Sequence, residues 1–243
     1  MSARCAALLL ATLPAAGPVA AADVAIAPGV YVTERGWGVL EIARAKNGAT
    51  TFSLEAMGGN AHSCSLDGEI RNGCAVLEAF EKDKPCTVTF AAAGAGVRVG
   101  SVEPSACRYY CGMRAMFEGE YLKPAGGCAP VPLNRARETF KRQYDAKQFA
   151  EARAMLEPLL ARCARTLDWL QTGWMRNDLA VTQYRLGDRA GCLATLQPLA
   201  PDAAKSDAQI AQDMVAPTDV ENWLPVVRAA RTNFKLCGTN APR

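Results

Sequence analysis

The sequence predicts an α+β protein, in which a small antiparallel β-barrel or sandwich with disulfides is followed by an α-helical domain. Three observations support this prediction: an apolar leader, ten cysteines, and a change from strand-like alternation to helical periodicity near Cys128. We therefore expect a signal peptide at 1–22, a cysteine-rich antiparallel β domain at 23–128 and a helical domain at 129–243.

The leader has the three parts of a secretion signal. Arg4 supplies a positive charge, an apolar run from Cys5 to Leu13 follows, and small residues end in Ala20–Ala22. The apolar run is too short to span a bilayer, and an A-x-A site would release a chain that starts at Asp23. The sequence thus predicts a periplasmic or secreted protein, in a compartment where cysteines are oxidised.

Charge and hydropathy argue against a nucleic-acid partner and against a membrane span. The formal net charge is only +3, and the basic residues form no dense stripe, so nucleic acid is not expected as a partner. No second apolar run reaches membrane length, so no membrane span is expected after cleavage.

The β domain is predicted from short alternating apolar runs that Gly, Asn-Gly or Asp-Gly turns separate. The matching ends Gly29–Tyr31 and Gly119–Tyr121 indicate that the first strand pairs with the last, which would remove open edges. We expect strands at Val30–Val32, Val39–Ile42, Thr51–Leu54, Cys64–Leu66, Ala75–Leu77, Cys86–Phe90, Val97–Val99 and Gly119–Tyr121.

The helical domain is predicted from apolar residues at i, i+3, i+4 and i+7 spacing from Leu133 onward, which indicates five or six helices. Gly187 should end one helix and Asp188 should cap the next. Two capping boxes are expected, at Ser206–Gln209 and at Thr218–Glu221.

Nine cysteines follow the leader, and the export signal favours disulfides over a zinc site. The six in the strand half allow 15 pairings, among which the sequence does not choose. In the helical half, Cys192 is expected to pair with Cys237, and Cys163 to be a buried free thiol. No metal and no cofactor are predicted. The disulfide candidates are Cys64, Cys74, Cys86, Cys107, Cys111, Cys128, Cys192 and Cys237.

Catalytic residues are not evident, so we do not predict an enzyme. His62 is the only histidine, and its neighbour Ser63 would point to the opposite face of a strand. Glu118 and Glu120 would share a strand face, which leaves a glycan-active enzyme as a third hypothesis.

The segment Cys107–Tyr121 concentrates cysteine, aromatic and arginine residues. We expect Phe117 and Tyr121 to fill the barrel. For Arg108, Tyr109 and Arg114, presentation to a protein partner and a purely structural role stay open. Phe80, Glu81 and Asp83, in a predicted hairpin tip, form a second candidate contact.

The helical half resembles a tetratricopeptide-type (TPR) array. The resemblance rests on Tyr144 and Phe149–Ala152 in one unit, and on Leu179–Ala180, Tyr184, Leu186–Gly187, Cys192 and Pro198 in the next. Ala152 and Cys192 lie 40 residues apart, whereas the family repeats at about 34 residues. The resemblance implies binding of protein segments and no catalysis.

The stretches NAHSCSLDG and CRYYCGMRAMFEGEY resemble a cysteine-rich module of exported proteobacterial proteins, some of which carry a lysozyme-inhibitor domain of the LprI type. This resemblance implies binding rather than catalysis. Together with the export signal, the disulfide-linked barrel, the helical array and the missing catalytic set, it gives the first hypothesis. This is a periplasmic protein-binding module that acts as an inhibitor or immunity protein against a peptidoglycan-degrading, lysozyme-like hydrolase. The alternative is a TPR-type scaffold for envelope assembly.

Overall fold

A computed structural model describes residues 26–79 and 84–238, which form two compact units. The β unit contains Gly38–Gly58 and His62–Lys123 together with the described residues up to Thr33. The helical unit begins at Pro124 and also includes Glu34–Trp37 and Gly59–Ala61. The predicted α+β fold class is confirmed.

The β unit is an eight-stranded antiparallel sheet in the order β4-β3-β2-β1-β8-β7-β6-β5. β1 pairs with β8 through Val32 and Leu122, so the predicted pairing of first and last strands is confirmed. The sheet is nearly closed, because its edges β4 and β5 follow one another in sequence and are joined by a bridge between Arg71 and Cys74. The strands are β1 (Gly29–Thr33), β2 (Gly38–Arg44), β3 (Thr50–Met57), β4 (Ser63–Ile70), β5 (Cys74–Val76), β6 (Thr87–Ala93), β7 (Gly96–Ser101) and β8 (Gly119–Leu122).

The interior of the sheet is filled by alternate residues of each strand, as a two-residue period requires. Leu40 and Leu54 are fully buried, and the rings of Phe52 and Phe90 meet edge to face with centroids 4.8 Å apart. The Tyr121 hydroxyl, also buried, donates to the Phe117 carbonyl oxygen at 2.8 Å. Phe117 and Tyr121 therefore belong to the core, as expected.

The helical unit contains seven helices among its described residues. The helices α1 and α2 pack together, as do α3 and α4, and α7 packs against α3 and α4. Residues 200–213 form two short helices, which explains why the count exceeds the five or six expected. The helices are α1 (Pro130–Asp145), α2 (Phe149–Cys163), α3 (Trp169–Arg185), α4 (Arg189–Leu196), α5 (Ala200–Ala203), α6 (Asp207–Asp213) and α7 (Pro217–Gly238).

The two helical pairs turn in the same way. Lys147 and Gly187 both have a left-handed backbone, with φ of 61° and 81°, between the paired helices. Five residues after each, Ala152 and Cys192 are fully buried. Their small side chains let the paired helices approach closely.

The ends of the helices follow the predictions in part. Asp188 caps α4, and Ser206 with Gln209 forms the expected capping box of α6. The second expected box is wrong, because α7 begins at Pro217 and the Thr218 amide donates to Oδ1 of Asn60 at 3.1 Å. The amide of Asn60 in turn donates to the Asp219 carboxylate. 

Four disulfides are present among the described residues: Cys64–Cys111, Cys86–Cys107, Cys128–Cys163 and Cys192–Cys237. The predicted Cys192–Cys237 pair is confirmed. The prediction of a free thiol at Cys163 is wrong, because helix α2 ends at this residue and brings it to Cys128, which precedes α1. Cys74 is disulfide-bonded as well.

Candidate functional site

The β unit carries a long connection between β7 and β8, residues Val102–Phe117, which we call the pinned loop. Two disulfides attach this loop to the sheet. Cys107 is bonded to Cys86, which directly precedes β6, and Cys111 is bonded to Cys64 in β4. Ala115 and Phe117 are buried beyond the second bridge. The loop is thus fastened at three places along its length.

A tight turn in the pinned loop packs against the ends of β3 and β4. The Gly112 amide donates to the Ser63 carbonyl oxygen at 2.8 Å, and the Ala115 amide donates to the Gly112 carbonyl oxygen at 3.0 Å. A Cβ atom at Gly58 would lie 2.0 Å from the Arg114 carbonyl oxygen, so only glycine fits there. The turn therefore projects Met113 and Arg114 from a fixed backbone.

The exposed side chains of the pinned loop are aromatic, cationic and sulfur-containing. Tyr109, Met113 and Met116 are 66%, 80% and 60% exposed. Arg108 is exposed too, and its guanidinium donates to the Met113 carbonyl oxygen at 3.1 Å. Arg114 is exposed as well, and no ion pair joins it to another described residue. The structure thus brings the predicted residues Arg108, Tyr109 and Arg114 together on one loop.

The exposed ring of Tyr109 packs against the ring of Tyr110. The two rings meet edge to face, with centroids 5.6 Å apart. The Tyr110 hydroxyl donates to the Glu78 carbonyl oxygen at 2.6 Å, and burial raises the pKa of Tyr110 above its ordinary value. Tyr110, which is held by this hydrogen bond, therefore helps to fix the position of the exposed Tyr109 ring.

The remaining predicted residues form two sets, one outside the described part of the chain and one on the sheet. Phe80, Glu81 and Asp83 lie outside the described residues. Glu118 accepts a hydrogen bond from Ser101 at 3.0 Å, and Glu120 forms an ion pair with Arg98, so each acid has a partner on the neighbouring strand.

Two exposed residues of this loop, Met113 and Met116, were not identified from the sequence. For Met116 a signal exists in the sequence, because Phe117 was expected to fill the barrel and the adjacent residue of an extended segment faces the opposite way. For Met113 no local signal exists, since its exposure depends on a turn that the Cys64–Cys111 bridge holds in place.

The helical unit has a groove of about 610 Å³ between α1 and α3. Arg137 reaches across it to Asp178, with 3.3 Å between guanidinium nitrogen and carboxylate oxygen. Burial raises the pKa of Asp178, while the nearby Arg137 acts to lower it. The groove lining is Asn134, Arg137, Glu138, Phe140, Lys141, Tyr144, Asp145 and Asp178.

This groove combines aromatic and charged surfaces. The rings of Phe140 and Tyr144 lie 5.9 Å apart, and Lys141 pairs with Asp145 at 2.6 Å on the same helix. Such a surface can offer apolar contact and hydrogen bonds of both polarities to an extended chain.

Among residues 26–79 and 84–238, no three His, Cys, Asp or Glu side chains are grouped as metal ligands. None of the described helices combines the length and the apolar character that crossing a bilayer requires. Comparison of the chain with protein-family models, curated proteins and solved structures found no match.

Proposed function

We propose that this chain is an exported protein-binding module that inhibits a peptidoglycan-degrading enzyme through its pinned loop. The observation that carries the proposal is the combination of two disulfides with an exposed Tyr109 between two exposed arginines. Four disulfides are typical of proteins that fold in an oxidising compartment, which supports a periplasmic or secreted location.

The composition of the loop favours a protein partner. Tyr and Arg are enriched among the residues that dominate binding energy at protein interfaces. A loop that is already held in one conformation loses less conformational entropy on binding, and this raises affinity. Two covalent links and a buried anchor meet that condition.

The charge of the loop favours a hydrolase of glycans as that partner. Glycoside hydrolases place a pair of carboxyl groups in their substrate cleft. The guanidinium groups of Arg108 and Arg114 are suited to carboxylates, because arginine forms bidentate, charge-assisted hydrogen bonds with them.

The test is inhibition of cell-wall lysis by a panel of purified muramidases. We expect the protein to slow at least one of them, and Tyr109→Ala to weaken that inhibition at least ~10-fold, as expected for an interface hot spot. Val76→Ala is the matched control, because Val76 is 68% exposed on β5 of the same unit. Unchanged lysis rates across the panel would refute the proposal.

The groove between α1 and α3 favours a second candidate function, a TPR-type scaffold that holds a segment of an envelope protein. Its mixed aromatic and charged lining supports this candidate. A photo-crosslinking residue at Lys141 should capture one envelope protein in living cells, and Arg137→Gln should reduce the yield. Capture of the same protein through position 109 instead would assign it to the pinned loop.

A further inference from the structure

We propose that the β unit binds a soft monovalent metal ion, Cu⁺, through the thioethers of Met57, Met113 and Met116 and the imidazole of His62. This site goes beyond the protein-binding function and does not depend on it. The four donors lie on two chain segments, the end of β3 with the start of β4 and the turn of the pinned loop.

Two close contacts bring these segments together, one between backbones and one between a side chain and a backbone. A Cβ atom at Gly58 would lie 2.0 Å from the Arg114 carbonyl oxygen and 2.7 Å from Cα of Ala115. Met57 precedes Gly58, and Met116 follows Ala115. The segment that holds Met57 therefore touches the segment that holds Met116.

The second approach involves the histidine. Nδ1 of His62 would lie 2.5 Å from a Cβ atom at Gly112, the residue that precedes Met113. Nδ1 thus faces the turn, and Nε2 lies on the other side of the ring. Neither ring nitrogen of His62 forms a hydrogen bond with a described residue.

The exposure of the methionines distinguishes this region from the rest of the chain. Met57, Met113 and Met116 are all more than half exposed, and they are all the methionines of the described β unit. In the helical unit Met175 is fully buried, and Met155 and Met214 are partly buried. Contact with a protein partner would explain why Tyr109 and the arginines are exposed. A metal site would explain why the other exposed side chains of this region are methionines.

The chemistry of the donors selects the metal. Thioethers are soft ligands that favour Cu⁺, and imidazole also binds copper. In an oxidising compartment thiols are consumed by disulfides, so methionine is the soft sulfur that remains available. Thioethers and imidazole bind metals without contributing a negative charge, and Arg114 adds a positive charge in the same turn, so the site favours a monovalent ion over a divalent one.

Competition with a chromophoric chelator tests the site. The processed, oxidised protein, with any thiol blocked by N-ethylmaleimide, is titrated against Cu⁺–bicinchoninate in ascorbate, where Cu⁺ changes ligands without changing oxidation state. We expect one equivalent of Cu⁺ to leave the chelator. The double variant Met113→Leu/Met116→Leu and His62→Gln should each weaken binding at least ~10-fold, because even loss of an outer-shell partner typically costs that much.

Met214→Leu is the matched control and should bind as the unchanged protein does. Circular dichroism should show that the variants stay folded, since leucine replaces exposed methionines of similar volume. Ag⁺, which is redox-inert here, should shift the methyl resonances of Met57, Met113 and Met116 but not that of Met214. Retention of all Cu⁺ by the chelator, or equal affinity in the double variant and Met214→Leu, would overturn the site while leaving the inhibitor proposal unaffected.

Discussion

Lys147 occupies a backbone conformation that suits glycine better. Its φ of 61° is left-handed, as is the φ of 81° at Gly187 in the equivalent turn. A left-handed conformation costs a residue with a side chain about 1 kcal/mol, and part of this cost is offset because glycine loses more entropy on folding. We therefore expect Lys147→Gly to raise the free energy of unfolding by about 0.5 kcal/mol in urea denaturation.

The reciprocal change is the control for this prediction. Gly187→Ala places a side chain in the same conformation and should lower the free energy of unfolding by about 1 kcal/mol. If both substitutions changed stability in the same direction, the left-handed conformation would not be the cause.

Asp178 should make stability depend on pH. Burial raises its pKa, so the folded protein holds this proton more tightly than the unfolded chain does. Relative to Asp178→Asn, the unchanged protein should therefore lose stability as the pH rises from the unfolded pKa of about 3.9 through the raised folded value. Urea midpoints measured for both proteins from pH 3.5 to 7 test the sign.

Asp207 supplies a control of opposite sign. Hydrogen bonds from Arg231 and Arg228 lower its pKa. Relative to Asp207→Asn, the unchanged protein should gain stability as the pH rises through the lowered folded value toward the unfolded one. If stability changed with pH in the same direction for both aspartates, the opposite pKa shifts assigned to Asp178 and Asp207 would be contradicted.

At the scale of the element, α3 begins with a capping box that was not predicted from the sequence. The Asp168 carboxylate accepts from the Gln171 amide at 2.7 Å, and the Gln171 side chain accepts from the Asp168 amide at 3.2 Å. Asp168→Ala removes this acceptor and should cost about 1 kcal/mol in unfolding free energy. Asp168→Asn retains an acceptor and should cost less; an equal loss in both variants would argue against capping.

The pinned loop is also an element in which backbone packing decides the outcome. Gly58→Ala would direct a Cβ atom into the Arg114 carbonyl group, which cannot move freely because the Cys64–Cys111 bridge and the Gly112 amide hold the turn. This explains why the exposed side chains of the loop keep their positions on the barrel surface.

At the scale of the whole molecule, the covalent links should contribute strongly to stability. The Cys192–Cys237 bridge spans 45 residues of the helical unit. Replacing both cysteines by serine should cost about 2–4 kcal/mol, mainly because the unfolded chain gains conformational freedom. All four tryptophans lie in this unit, so tryptophan fluorescence reports its unfolding directly.

The unchanged protein in the presence of a reductant is the comparison for this variant. Its fluorescence midpoint should fall at least as far, because the Cys128–Cys163 bridge of the same unit is also reduced. A midpoint in the serine variant equal to that of the oxidised protein would show that the bridge contributes nothing.

The sequence by itself determined the fold class and the positions of the strands, because alternation, turn residues and helical periodicity are local signals. The pairing of β1 with β8 was expected from their similar sequences, but only the closing of the sheet brings these two strands together. It also determined the capping of α4 by Asp188, which depends on residues only a few positions apart. The tertiary structure alone decided that Cys163 bonds Cys128, that Met113 is exposed, and that His62 lies against Gly112. Each of these depends on residues that are distant in the chain, and their approach is set by the packing of complete strands and helices rather than by any neighbouring residue.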